Sequence, residues 1–108
     1  MATTYKVLGQ LAPAATTNTD LYTVPSSTST VCSTLAICNR GTATTFRVAV
    51  RPANAAIDNL HYIIHDNYVN QYDTIFLTLG ITLATTDVIT VYAGTATLSF
   101  SLFGSEVS

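Results

Sequence analysis

The sequence predicts one all-β domain, an antiparallel β-sandwich of about eight strands with a jelly-roll-like arrangement. Apolar residues recur with period two nearly everywhere, and no stretch of about 12 residues carries a 3.6 period. Turn signals return every 8–12 residues or so, the spacing of short strands in a sandwich or barrel. Threonine and serine fill 28 of 108 positions, and threonine, being β-branched, suits a pleated, half-exposed surface. An immunoglobulin-like sandwich is the alternative order. The length allows one core, so residues 1–108 are read as a single domain.

The first strand expected is Tyr5 to Leu11, followed by a loop from Pro13 to Asp20. Leu21 to Val24 is short and ends at Pro25. Val31 to Asn39 has two almost uncharged faces, Val31, Ser33, Leu35 and Ile37 against Cys32, Thr34, Ala36 and Cys38. This pattern predicts a central strand covered on both sides. Asn39-Arg40-Gly41 is a turn. From Thr45 to Arg51, Phe46, Val48 and Val50 face one way and Arg47, Ala49 and Arg51 the other, until Pro52 stops the strand. Ala53 to Asn59 is a loop or at most one helical turn. Leu60 to His65 is a strand and Asp66 to Tyr72 a polar connection. Asp73 to Leu79 alternates, Gly80 interrupts it, and Ile81-Thr82-Leu83 reads as a separate short segment. Val88 to Ala93 and Ala96 to Phe103, joined through Gly94-Thr95, are expected to pair as a hairpin.

Charge is scarce: Asp, Glu, Lys and Arg make 9% of the chain and the net charge is −2, against about one quarter charged residues in a typical domain. A surface of hydroxyls and small apolar groups loses its water more cheaply than a charged one. It suits being covered by neighbouring subunits. Lys6, Arg40, Arg47 and Arg51 are too few and too scattered for a nucleic-acid face. The longest apolar runs are far below the roughly 20 residues of a membrane-spanning helix, and the N-terminus lacks the order of a signal peptide. No direct nucleic-acid or membrane partner is expected.

The residues that carry chemistry do not assemble into a motif. His61 and His65, on one face of a strand, would lie about 13 Å apart, too far to share an ion that binds at about 2 Å. Cys32 and Cys38 on one strand face would lie about 20 Å apart, whereas a disulfide needs Cα atoms about 5.5 Å apart. Asp20, Asp58, Asp66, Asp73 and Asp87 flank strands, where aspartate fixes turns. Hydrolase, phosphate-loop and dinucleotide motifs are missing. No catalytic residue, cofactor or metal is expected. The candidate interface residues are Arg47 and Arg51, as partners for carboxylates of a neighbour, and Tyr62, Tyr68 and Tyr72 around an uncharged polar loop.

The stretches Tyr5-Lys6-Val7-Leu8-Gly9-Gln10 and Leu21-Tyr22-Thr23-Val24-Pro25 resemble small virion structural proteins of tailed bacteriophages, including those infecting cyanobacteria. Ser33-Thr34-Leu35-Ala36-Ile37-Cys38-Asn39-Arg40-Gly41 followed by Phe46-Arg47-Val48-Ala49-Val50 is similar to the same group. So are Leu77-Thr78-Leu79-Gly80-Ile81-Thr82-Leu83 and Leu102-Phe103-Gly104-Ser105-Glu106. The resemblance spans nearly the whole chain and implies a non-enzymatic protein of the virion, assembled in the host cytoplasm. Its expected role is a capsid decoration (cement) protein that self-associates, as a trimer, and binds a major capsid protein. The alternatives are a tail or baseplate component bound to a tail protein, or a carbohydrate- or receptor-binding fibre module.

Overall fold

A computed structural model describes residues 2–108. Its eight strands are β1 (Thr3–Leu11), β2 (Thr19–Thr23), β3 (Ser29–Asn39), β4 (Thr44–Arg51), β5 (Tyr62–Val69), β6 (Thr74–Leu83), β7 (Val88–Ala93) and β8 (Leu98–Val107). They form two four-stranded antiparallel sheets, ordered β1-β8-β3-β6 and β2-β7-β4-β5. The pairs β1–β8, β2–β7, β3–β6 and β4–β5 are nested: each strand partners the one equally distant from the other end of the series. The chain is thus one long hairpin, rolled until β8 also meets β3 and β7 also meets β4. That order is a jelly roll. An immunoglobulin-like sandwich would instead put its first two strands side by side.

The core forms where the two inner faces meet. Leu35, Ile37, Leu98, Phe100 and Leu102 come from one sheet, and Phe46, Val48, Ile89 and Val91 from the other, none more than 1% exposed. Phe46 and Phe100 meet edge-to-face across the gap, their centroids 6.3 Å apart. Such a pair adds about 0.5–1.5 kcal/mol beyond its buried area.

Asn39 fastens one end of the sandwich. It is 2% exposed, and its side-chain amide donates to the carbonyls of Thr42 and Asn70 while its oxygen accepts from the Gly41 N–H and the Thr97 hydroxyl. One side chain therefore ties together three connections between strands. Near the other end the Tyr22 hydroxyl crosses from β2 to the opposite sheet, 2.8 Å from the Thr30 hydroxyl and 2.5 Å from Glu106 Oε2. Lys6 Nζ approaches the other oxygen of Glu106 at 3.3 Å.

Several sequence expectations are corrected. β7 and β8 do not form a hairpin, because they lie in different sheets. The connection from Gly94 to Thr97 supplies four residues, enough to step the roughly 10 Å between sheets. Both strands then bury an inner face against each other across the core. Gly80 does not divide β6, since the strand runs through it with a positive φ of 60° and a shift in register. β5 begins later than expected and continues through Asp66 to Val69, replacing much of the polar connection. His61 lies outside that strand, in a single 3-10 turn at Asn59–His61. β3 is central in its sheet, but its outer face is uncovered, with Val31 39% exposed.

The two cysteines do not share a face. β3 carries an extra residue, Ser33, between Cys32 and Thr34 relative to β8, while β6 sets two residues, Leu79 and Gly80, against that same Ser33. A one-residue slip turns every later side chain to the other face. Cys32 therefore points into the core and is fully buried, whereas Cys38 lies on the outer side, partly exposed. Burial pushes the Cys32 thiol up to about 11.

Opposite the bulge sits Gly104, where a Cβ would run into the carbonyl oxygen of Val31 and crowd Leu8 and the Cys32 Cα. Gly104→Ala is expected to lower stability by about 1–3 kcal/mol, the usual cost of overpacking. Thermal unfolding followed by circular dichroism measures it, and an unchanged midpoint would contradict the close approach. A thiol reagent at neutral pH should modify Cys38 alone in the native protein and both cysteines after denaturation. Rapid native labelling of Cys32 would contradict its inward placement.

Candidate interaction surface

The chain uses its few charges internally. Arg47 Nε contacts Asp66 Oδ1 at 2.6 Å, and its guanidinium lies 4.2 Å from the centre of the Tyr92 ring. Arg51 is held by Asp20 at 2.7 Å, the Thr90 hydroxyl at 2.9 Å and the Ala55 carbonyl at 2.8 Å. Arg40 donates to the Ser99 hydroxyl and the Ala96 carbonyl. Among the acids, Asp58 and Asp73 each accept the N–H of the following residue, and Asp87 accepts those of Ala53 and Ala84. All but the Ala53 bond, which reaches in from the β4–β5 connection, are the local turn bonds expected of aspartate beside strands.

The five candidate interface residues separate into two groups. Arg47 and Arg51 already have carboxylate partners within the chain, so a neighbour would have to compete for them. Charge reversal there would break intrachain pairs as well as any contact outside. Tyr62 is partly buried at the start of β5, edge-on to His65 with ring centroids 5.0 Å apart. Tyr68 and Tyr72 are 59% and 73% exposed, around the turn from β5 to β6. The two tyrosines nearest the turn are thus outside together, and Tyr62 is set apart from them.

The histidines serve the fold differently from the sequence expectation. His61 is buried, and its Nδ1 accepts the Asp58 N–H at 3.0 Å, closing the turn that leads into β5. His65 is about half exposed beside Asp66. Among the described residues, no group of three or more His, Cys, Asp or Glu side chains comes together in a way that could hold a metal ion.

The two sides of the sandwich differ. On one, β1 packs along β2, and Gly9 lets the strands approach at the Leu21 carbonyl. On the other, β5 packs chiefly beside β4 and β6 beside β3, so the edges of β5 and β6 gape. The inward side chains of β6, Ile75, Leu77, Leu79 and Ile81, are consequently only partly buried. Large apolar side chains reach solvent on this side. Of nine such exposed side chains among the described residues, six fall in the sequence stretch from 57 to 76: Ile57, Leu60, Ile63, Tyr68, Tyr72 and Phe76. Ile57, Leu60, Ile63 and Phe76 were not singled out from the sequence. The usable signal was the run from Thr74 to Leu83, ten residues without a charge or a proline.

A second feature lies on the outer face of the β1-β8-β3-β6 sheet. Tyr5, Lys6, Val31, Ser33, Phe103 and Ser105 line a shallow depression over Gly104. It holds two aromatic rings and several hydroxyls. No protein-family model matches the chain, and no curated protein matches it significantly.

The Tyr22–Glu106 bond generates a pH prediction. Donation from Tyr22, with help from Lys6, holds the Glu106 carboxyl below the ordinary glutamate range, while burial and the carboxylate hold the Tyr22 phenol above its usual value. A carboxyl lowered in the folded state binds protons less readily there than in the unfolded chain. Its contribution is therefore complete above the unfolded value of about 4.3 and is lost as pH falls through the lower folded value. Tyr22→Phe is expected to cost about 1.5–3 kcal/mol at neutral pH, the range for a hydrogen bond to a charged group. It should also flatten the loss of stability between about pH 5 and pH 3. Urea unfolding at stepped pH tests this, and parallel curves for the two proteins would refute the coupling.

Proposed function

We propose that this chain is a non-enzymatic virion structural protein, a capsid decoration protein that associates with copies of itself and with a major capsid protein. The observation that carries the reading is the open β5–β6 side, where unpaired strand edges and six exposed apolar side chains coincide. Exposed apolar side chains beside an unpaired strand edge are what interaction sites on a folded domain present. The low charge supports it, because little must be desolvated when the surface is covered. The jelly-roll order adds an analogy at the level of fold, since viral capsid domains use it, as do lectin domains and cupins. A trimer is the form that a threefold capsid site would select, closed symmetry being the usual outcome of self-association.

The Tyr5–Phe103 depression favours a second reading, a carbohydrate-binding module of a fibre. Aromatic rings and hydroxyls are the groups that receive a sugar ring, although the chain has no tryptophan. A tail or baseplate position differs from the decoration role only in its partner.

Light scattering coupled to gel filtration is expected to give a mass that is a multiple of the 11.5 kDa chain. The protein is further expected to bind purified capsid shells that lack it, and to appear on the outside of the shell by cryo-electron microscopy. A monomer at high micromolar concentration would remove the self-association. Density confined to the tail would move the assignment there, and glycan binding abolished by Tyr5→Ala would favour the fibre module.

A further inference from the structure

We propose that two copies of this chain join through β6, edge to edge and antiparallel about a two-fold axis at Phe76, so that two four-stranded sheets become one continuous sheet of eight. The proposal rests on the self-association read above and names the strand that mediates it.

A sheet edge offers unpaired N–H and C=O groups to any passing strand, and proteins guard edges with charges, prolines, bulges or short length. Three of the four edges here are guarded. β1 carries Lys6 and a register shift at Leu8. β2 is five residues long, carries Asp20 and a register shift, and is followed closely by Pro25. β5 carries His65, two register shifts and Asp66 at a φ of 53°. β6 has ten residues with no charge and no proline, and it pairs with β3 alone. Its only irregularity lies toward Gly80, leaving Thr74 to Thr78 regular.

That regular stretch matches itself. Its centre is Phe76, and antiparallel pairing about Phe76 sets Thr74 opposite Thr78 and Ile75 opposite Leu77. Opposed residues in an antiparallel pair point to the same face. The two Phe76 rings, each 71% exposed in the single chain, would meet on the outer face between threonines. Ile75 and Leu77, half covered now, would complete their burial on the inner face. Aromatic and hydroxyl cross-strand pairs are favourable ones. The nearest charge along the chain is Asp73, just before β6, and the two copies of it would sit about 20 Å apart, beyond the screening length of about 8 Å. No like charges are forced together.

The strand contact is short. With the axis at Phe76 the two β6 strands overlap over Thr74 to Thr78, about 17 Å at a strand's rise per residue, and the thinnest dimension of the molecule is 19 Å. The overlap covers on the order of 300 Å² in projection, with Tyr72 and Phe76 adding relief, which makes this a small, weak interface of the kind that gains strength by repetition in an assembly. The contact is pairwise and uses one edge. A threefold ring would be built through other surfaces and linked to its neighbours by this one.

Phe76→Cys in a Cys38→Ser background tests the axis. Directly opposed Cβ atoms lie about 4.5–5.5 Å apart, close to disulfide reach, so mild oxidation is expected to give a covalent dimer on a non-reducing denaturing gel. Phe76→Lys, at an exposed position, is expected to keep the monomer's circular dichroism and to raise the dissociation constant about tenfold or more in sedimentation experiments. Should it fail to fold, Thr78→Lys carries the same reading. A parent protein that associates, with no cross-link from Phe76→Cys and no weakening by the lysine variant, overturns the β6 contact and leaves self-association standing. A parent protein that stays monomeric at high micromolar concentration overturns both.

Discussion

The first sheet depends on a line of irregularities that crosses it from edge to edge. β1 carries an extra residue at Leu8, β3 carries one at Ser33, and β6 shifts register beside Gly80. β8 passes between β1 and β3, with Phe103 and Gly104 at the crossing. Gly104 lacks the Cβ that would strike Val31, so the strands can approach where the pleat is broken. The line decides which side chains face inward at one end of the molecule: Leu8 and Cys32 enter the core, and Val31 and Ser33 turn out. The depression lined by Tyr5 and Phe103 lies over this line.

Charge is distributed as unevenly as packing. The outer face of the second sheet holds the Arg47–Asp66 and Arg51–Asp20 pairs, with Tyr92 and Thr90 between strands. The outer face of the first sheet presents threonines, serines and a few aromatic rings, with Arg40 at one end bonded to Ser99. Exposed pairs contribute at most about 1 kcal/mol each, so their effect is felt less in stability than in which face can be covered without stranding a charge. The sparsely charged face and the open β6 edge adjoin, because β6 is the last strand of that sheet.

The strands themselves were legible from periodicity. Val88 to Ala93 matches β7 at both ends, and the alternation of Phe46, Val48 and Val50 against Arg47 and Arg51 survives in β4. The face of a residue beyond a bulge was not legible, because a bulge is a property of two paired strands. The Cys32 error came from that. Nor could the sequence tell that Gly80 bends a strand instead of ending it. Tyr68 and Tyr72 pointed to the open side, since tyrosine on a polar loop has few other uses. The fate of Arg47 and Arg51 was hidden because Asp66 and Asp20 are distant in sequence. Asn39 reads as a turn residue, and only the assembled loops show that it ties three of them.

The nested pairing has a kinetic consequence. Only β4 and β5, among consecutive strands, lie side by side, while β1 must find β8 with Thr3 opposite Val107. Nearly every other ladder joins distant parts of the chain, and closing such long loops costs entropy before any contact rewards it. Folds of such high contact order reach the native state in milliseconds to seconds, against microseconds for local topologies. The β4–β5 hairpin is the one ladder that can close early, and the others roll onto it from inside to outside. In that order β6 finds β3 before β8 does, so the unguarded edge exists while the core is still being built. A chain released at high concentration therefore shows that edge to other chains for as long as folding lasts, and it is there that mispairing would begin.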